Sequence, residues 1–330
     1  LPVVPPLEGV DLPGVSVVST LHHARAIKDK IAGGQVSSAV VIGGGAIGLE
    51  MAEALTDLWG IETTLIEMLP QLLPTAVGPD MALVVKNHME EKDVRVRLNE
   101  RATRIVGDPE NGVTVVETEN GTIPCDLVIL AAGVRPNTTL ADDAGLVIGP
   151  LGGIVVDQRL CTSDPSIYAG GDCVPNAYIH RQVGDPLYVP LGSTANKHGR
   201  VIANHIAGRP TPFSGITCSS VVRVFDYTLG RTGLTERMLR ALGVDYEVTT
   251  WTGQDIPHYM TGSRLFAIKM LASRRDRKLL GVQVAGMGNG AKRLDVAASV
   301  IYFGGTLDQM ADTDLGYAPP SSPATHALTL

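Results

Sequence analysis

Residues 39–50 read Ala39-Val40-Val41-Ile42-Gly43-Gly44-Gly45-Ala46-Ile47-Gly48-Leu49-Glu50, and their pattern decides the fold. The first four are apolar, mostly β-branched and too few for a helix, so they predict a strand buried on both faces. Gly43, Gly45 and Gly48 follow at the spacing G-x-G-x-x-G. Apolar residues at Ile47, Met51, Leu55 and Leu58 then recur at helical spacing until Gly60. A second strand at 63–66 runs into Glu67, 19 residues past Gly48.

Strand, glycine turn, helix, strand and terminal acid in that order form a dinucleotide-binding unit. Gly43 permits the tight turn, Gly45 lets the backbone approach a pyrophosphate, and Gly48 lets the helix press on the sheet. The helix N-terminus offers free N–H groups and a partial positive charge to the phosphates. Glu67 can accept both hydroxyls of an adenosine ribose. It would repel a 2′-phosphate, and no Lys or Arg stands in Met68-Leu69-Pro70-Gln71 to bind one. NAD is therefore expected over NADP.

A chain of 330 residues has room for two or three cores. Its net charge of −7 argues against a polyanionic partner, so no nucleic acid is expected. No apolar run approaches the ~20 residues that span a bilayer, and no basic and apolar leader opens the sequence. Cys125, Cys161, Cys173 and Cys218 are widely spaced, without the short pairings of a zinc site or a local redox dithiol. No metal is expected, and the setting is read as reducing and cytoplasmic.

Along the chain, residues 1–36 are Pro-rich at first, carry a short helix at about 22–31, and read as a linker. Residues 37–137 form one unit. It adds a helix at about 79–91, a strand at 94–98, a hairpin bracketed by Asn111-Gly112 and Asn120-Gly121, and a strand at 126–131. From 138 to 210, short strands at 154–157 and 167–169 precede a helix at about 194–207. Residues 211–330 change character. Strand-like runs at 220–225, 246–251, 265–271 and 279–284 predict an antiparallel sheet, with helices at about 235–242 and 291–303.

Several segments taken together carry a family likeness: VVIGGGAIGLEMAE, ILAAGVRPN, TSDPSIYAGGDC, PLGSTANKHGR, VFDYTLGRTGLTE and LLGVQVAG with AKRLDVAA. They resemble the FAD-dependent pyridine nucleotide-disulfide oxidoreductases, in particular the coenzyme A-disulfide reductase, NADH oxidase and NADH peroxidase branch. The resemblance implies an α/β fold in which a Rossmann-like NAD domain, 37–137, is inserted in an FAD domain whose first segment ends, with a linker, in 1–36 and whose second segment is 138–210. An α+β dimerisation domain with an antiparallel sheet follows. It further implies a homodimer, FAD and NAD as cofactors, and a small-molecule disulfide, peroxide or oxygen as electron acceptor.

By that resemblance, Asp172, preceded by Gly171, matches the acid that binds the ribityl chain of FAD. Leu191, Gly192 and Ala195 match the segment that meets the flavin, with a helix N-terminus pointing at its N1/O2 edge. Glu50 matches a carboxylate near the nicotinamide, and equally reads as a surface acid stabilised by the helix dipole. Gly133 looks like a close-approach glycine, and Ile47 lies in the nicotinamide segment. The position before Ile47 is often aromatic in the family, but here it is Ala46. Tyr317 and Tyr259 match tyrosines that relatives contribute to the partner subunit's active site, where a hydroxyl can donate a proton. Interface packing explains them as well. His326 stands where relatives often carry an acid.

Family members also carry an earlier glycine fingerprint for FAD and, some tens of residues later, a reactive cysteine. No second fingerprint and no cysteine precede Cys125 in this sequence, and Cys173 reads as a spectator beside Asp172. A flavoprotein electron-transfer reductase without a redox thiol, and an inert NAD-binding and dimerisation module, are the alternatives.

Overall fold

The computed structural model describes residues 1–180, 186–209, 211–324 and 326–329. At its centre is a parallel sheet of five strands in the order β1-β8-β2-β3-β4. The opening stretch supplies β2 (Ser38–Ile42) and β3 (Glu62–Glu67). Beside them run β1 (Val15–Val17), β4 (Arg95–Leu98) and β8 (Leu127–Leu130). Residues 1–36 thus do more than link. They add β1 as the sheet's edge strand and α1 (Leu21–Ala32), which sends Ile27 and Ile31 into the core.

The sheet is covered on both faces, and side chains alternate between two cores. Val41, Leu65, Leu127 and Ile129 point into one cluster, packed by α1, α2 (Ala46–Glu53) and α3 (Pro79–Glu91). Val40, Ile66, Val128 and Leu130 point into the other. That second cluster is closed by a three-stranded sheet of β5 (Ala102–Asp108), β6 (Gly112–Thr118) and β7 (Gly121–Pro124). The Asn111-Gly112 and Asn120-Gly121 turns join these strands as expected, with φ of +92° at Gly112 and +142° at Gly121.

The stripe expected on α2 holds in part: Leu55 is buried in the core and Met51 packs against it. The helix buries Gly48, Leu49 and Ala52, while Ile47 is 36% exposed and Leu58 is 73% exposed. The cause is Gly48, whose missing side chain lets that face, and not the Ile47 face, lie on the sheet. The helix then widens into one π-turn over Ala54–Leu58 before Gly60.

The described residues of 138–209 hold little regular structure. A short helix, α4 (Thr139–Asp143), and a long one, α5 (Gly192–Ile206), flank a loop-rich segment. The strands expected at 154–157 and 167–169 reduce to single bridges, Ile148 with Ile154 and Cys161 with Tyr168. Each run meets a neighbour at only one point, so no ladder forms.

The C-terminal part is an antiparallel sheet in the order β11-β12-β13-β10-β9. Its strands are β9 (Ser220–Val224), β10 (Tyr227–Gly233), β11 (Tyr246–Gln254), β12 (Leu265–Ser273) and β13 (Leu279–Gly286). Thr235 caps α6 (Glu236–Ala241) as its sequence implies, and α7 (Arg293–Tyr302) packs on the sheet through Leu294, Ala297 and Ile301. A last helix, α8 (Leu307–Ala311), opens with a full capping box from Thr306 and Gln309. The two sheets share a core: Val224, Phe225, Leu229 and Ala285 belong to the same apolar cluster as Val41, Leu65 and Met89.

Candidate functional site

The glycine turn lies where the C-terminal ends of β2 and β8 meet. From there the order steps to β3 on one side and to β8 and β1 on the other. An open parallel sheet binds ligands at such a reversal. Gly43 has φ +117°, and a Cβ there would stand 2.4 Å from the Ala131 carbonyl oxygen. At Gly48 a Cβ would meet the Gly43 carbonyl oxygen at 1.9 Å, whereas at Gly45 nothing lies within 4 Å. The first and third glycines are demanded by packing; the second keeps space open. Gly133, with φ +103°, sits just past β8 with open space around it.

Helix α2 starts directly after this turn. Its N-cap, Gly45, offers no side-chain cap, so the first N–H groups of the helix stay available to an anion. Glu67, at the end of β3, is only 7% exposed. Its Oε2 accepts the Gly44 N–H at 2.7 Å and its Oε1 accepts the Leu69 N–H at 2.9 Å. Each carboxylate oxygen keeps a lone pair, so the group can still receive ribose hydroxyls. The sequence shows the acid but not its second task, tying the phosphate turn to the loop after β3. That loop returns the favour, as Leu73 donates its N–H to the Gly44 carbonyl at 2.8 Å.

Glu50 is exposed one turn into α2. Its carboxyl lies above the usual range, first because of partial burial and second because of the Glu53 charge. Ala46 and Ile47 beside it are exposed, so this segment presents no aromatic ring at the turn.

The second group of expected residues gathers at α5. Gly171 takes φ +82°, and a Cβ on it would stand 3.6 Å from the Ala195 Cβ. Asp172 is exposed and makes no hydrogen bond within the described residues, so its carboxylate is open to a ligand hydroxyl. Leu191 is the N-cap of α5, with no side-chain cap, and Gly192 opens the helix with open space around it. These features fit a flavin: a free acid, a close-approach glycine and a bare helix N-terminus converge on one place. Tyr188 joins them. Its hydroxyl is held protonated above its usual range by burial and by the charges of Asp172 and Cys173.

Sequence reasoning passed over His198, which is wholly buried on α5. Its Nδ1 accepts the Gly171 N–H at 3.0 Å, directly behind Asp172. The signal was there: Thr194 and His198 are four apart, and they are the buried positions of the helix.

Tyr259 and Tyr317 are 64% and 56% exposed on the C-terminal part. Among the described residues no hydrogen bond or ring contact joins them to either cluster. Cys125, Cys173 and Cys218 are not poised as nucleophiles. Burial pushes Cys125 up to about 12 and also raises Cys173 and Cys218. Among the described residues no group of acidic, His or Cys side chains could hold a metal ion, and no helix is long and apolar enough to cross a membrane.

An NAD-type crevice, a flavin-type helix terminus and a separate antiparallel domain define the class of dinucleotide-dependent flavoprotein reductases. The chain belongs to the pyridine nucleotide-disulphide oxidoreductase family: that domain matches residues 1–199, and the family's dimerisation domain matches residues 219–328. FAD and NAD(H) are the cofactors of this family. The chain is 35% identical to an NADH oxidase of Methanocaldococcus jannaschii, over all of this chain and 72% of that protein. It is equally 35% identical to an NAD(P)H coenzyme A polysulfide/persulfide reductase of Pyrococcus horikoshii, over 98% of this chain and 71% of that one. In structure it is similar to an NAD-dependent persulfide reductase from A. fulgidus, with TM-score 0.95 and 39% identity. It is also similar to Bacillus anthracis CoADR-RHD, with TM-score 0.94 and 33% identity. The chain spans 60% and 58% of the lengths of those two solved chains.

Proposed function

We propose that this chain is the NADH-binding, flavin-contacting and dimerising part of an oxidoreductase that passes hydride from NADH by way of FAD to a sulfur acceptor. The observation that carries this reading is the glycine turn at the sheet's reversal point, with Glu67 bridging it to the loop after β3. FAD, when bound, would supply the two-electron relay between nicotinamide and acceptor. The chain's own residues bind and orient. The α2 N-terminus holds pyrophosphate, Glu67 takes the ribose, Gly133 leaves room at the strand end, and Glu50 sets its carboxyl beside the nicotinamide. Asp172 takes ribityl hydroxyls, and the α5 N-terminus sets a positive dipole against the flavin edge.

Tyr317 and Tyr259 are assigned to the partner subunit's acceptor site as proton donors, a reading supported by their exposure and by the dimerisation-domain match. The same match supports a homodimer. The acceptor is read as a low-molecular-weight disulfide or persulfide. Supporting this are the similar proteins named as persulfide, polysulfide and sulfur reductases. Peroxide and oxygen, the latter suggested by the relatives named NADH oxidase, rank behind it. The raised thiols of Cys125, Cys173 and Cys218 leave them out of the redox step. Four free thiols support a reducing, cytoplasmic setting, with partners neither nucleic acid nor membrane.

The domain division that fits best keeps 37–137 as the NAD domain, 138–210 as FAD-contacting and 211–330 as the dimerisation domain. The test combines two titrations and one assay. Purified protein should show a flavin absorbance band, bind NADH, and oxidise NADH faster with coenzyme A disulfide or persulfide than with air alone. Protein that holds no flavin yet binds NADH would overturn the reading in favour of an NAD-binding module.

A further inference from the structure

We propose that His198 is a positioning residue for the flavin site, an uncharged acceptor that locks the Gly171–Asp172 turn onto helix α5. This rests on the flavin reading of Asp172 above. Three observations carry it. First, the imidazole is wholly buried, and its Nδ1 receives the Gly171 N–H at 3.0 Å. An imidazole can accept at Nδ1 only when that nitrogen carries no proton, so the proton sits on Nε2. Second, Gly171 is in the left-handed region at φ +82°, a backbone geometry that needs support from its surroundings. The His198 bond gives that support one residue before the ligand-binding carboxylate. Third, the ring is fixed in place. Phe213 packs on it edge to face at 4.5 Å between centroids, and a Cβ at Gly170 would stand 3.0 Å from the His198 Cβ.

Among the described residues Nε2 finds no hydrogen-bond partner. His198 lines a cavity of about 220 Å³, together with Asp157, Val174, Pro175 and Phe213. Asp157 is the charged side chain facing this cavity, and its Oδ1 is already taken by the N–H groups of Arg159 and Cys161. Lys197 and Arg200, on the same helix, are exposed. Burial holds the imidazole below its usual range, in keeping with a neutral ring. Because His198 and the bare N-terminus share α5, one bond sets the ribityl acid and the helix dipole in register.

The consequence is a flavin affinity that depends on pH. Protonation would replace the Nδ1 acceptor by a donor facing the Gly171 N–H. The support is therefore present above the ordinary histidine range and is lost as pH falls through the lowered value.

The experiment measures FAD dissociation constants by flavin fluorescence from pH 8 down to about 5. Wild type is compared with His198→Gln, His198→Leu and Asp172→Asn. Exchange of the Gly171 amide is followed in parallel by mass spectrometry, with or without flavin. Wild type should lose affinity toward acid. His198→Leu should bind about tenfold more weakly at pH 8, the order expected for one hydrogen bond, with no pH trend. His198→Gln, whose Oε1 can accept the same N–H, should stay near wild type and also lose the trend. Wild-type affinity and Gly171 protection in His198→Leu would overturn the proposal. Unchanged affinity in Asp172→Asn would instead sink the flavin reading, and Gly171 exchange would still decide whether His198 holds the turn.

Discussion

The Nε2 atom of His88 lies 2.6 Å from a carboxylate oxygen of Asp226, joining the nucleotide-side helix α3 to the turn before β10. The imidazole is 3% exposed and stacks on Tyr227 at 3.7 Å between centroids. Removing the carboxylate leaves a buried polar ring unpaired, a loss of about 1–3 kcal/mol. Asp226→Ala is expected to lower the urea midpoint accordingly, and an unchanged midpoint would show that water replaces the carboxylate at no cost. The pair also gives acid sensitivity. Burial alone would raise the Asp226 carboxyl, but its own backbone N–H, His88 and the Lys92 charge outweigh it and hold the group below the usual range. Its stabilisation is thus present above the ordinary carboxylate range and fades as pH falls through the lowered value. Urea midpoints of wild type and variant should converge in acid.

The glycine turn separates folding from binding. A methyl at Gly48 collides with the Gly43 carbonyl oxygen at 1.9 Å, and backbone cannot retreat there without moving α2 off the sheet. Gly48→Ala should therefore cost about 1–3 kcal/mol, the order seen for overpacked cores. Gly45→Ala meets nothing and should fold normally while weakening NADH binding by tenfold or more. Thermal melts and NADH titrations of the two variants should show this crossed pattern.

Glu67 has two tasks, and a substitution should reveal both. Glu67→Ala leaves the Gly44 and Leu69 N–H groups without an acceptor, costing about 1–3 kcal/mol of stability. It should also reduce NADH affinity by more than tenfold. Normal NADH affinity in a destabilised variant would remove the ribose assignment and leave only the structural task.

Lys269 is 4% exposed and reaches Asp80 at 2.7 Å and Glu236 at 2.6 Å, one acid from each half of the chain. Asp80 is half exposed, so losing the buried ammonium strands mainly Glu236 and costs about 1–3 kcal/mol. Lys269→Ala is expected to lose that much, and Lys269→Met less, since its stem still packs. Burial would lower the ammonium, but the two acids outweigh it and raise it above the usual range. Its contribution is therefore full below the ordinary lysine range and lost only as pH rises through the raised value. Melting temperatures should report the same deficit at pH 6 and pH 8; a deficit that vanishes between them would contradict the assignment.

How much could be read in advance follows from which forces are local. The β2–α2–β3 unit, the Asn-Gly hairpin and the Thr235 cap were legible because glycine conformations, caps and apolar runs act within a few residues. The exposure of Ile47 was not, since the contact of Gly48 with the Gly43 carbonyl sets which side of the first turn lies on the sheet, while Leu55 is buried as its spacing implies. The 154–157 and 167–169 runs have strand composition, but a strand needs a neighbour, and composition does not supply one. At the site, Glu67, Gly171 and Asp172 announced themselves by motif. His198 did not, because its task is a bond to a backbone N–H 27 residues away. The contacts of His88 with Asp226 and of Lys269 with Asp80 link residues more than a hundred positions apart and leave no periodic trace.

The apolar cluster that runs from Val41 and Leu65 through Met89 to Phe225 and Leu229 has no seam between the two sheets. With Gly78 also donating its N–H to the buried Gln283 at 2.7 Å, even the start of α3 is closed by the other half. Lineages could not trade the nucleotide half as a free-standing cassette. A graft from a relative would import a Met89 surface shaped for a different Phe225, leaving a hole or a clash. Substitutions on the two sides must drift in step, so the inheritance of NADH binding is bound to that of the dimerisation sheet.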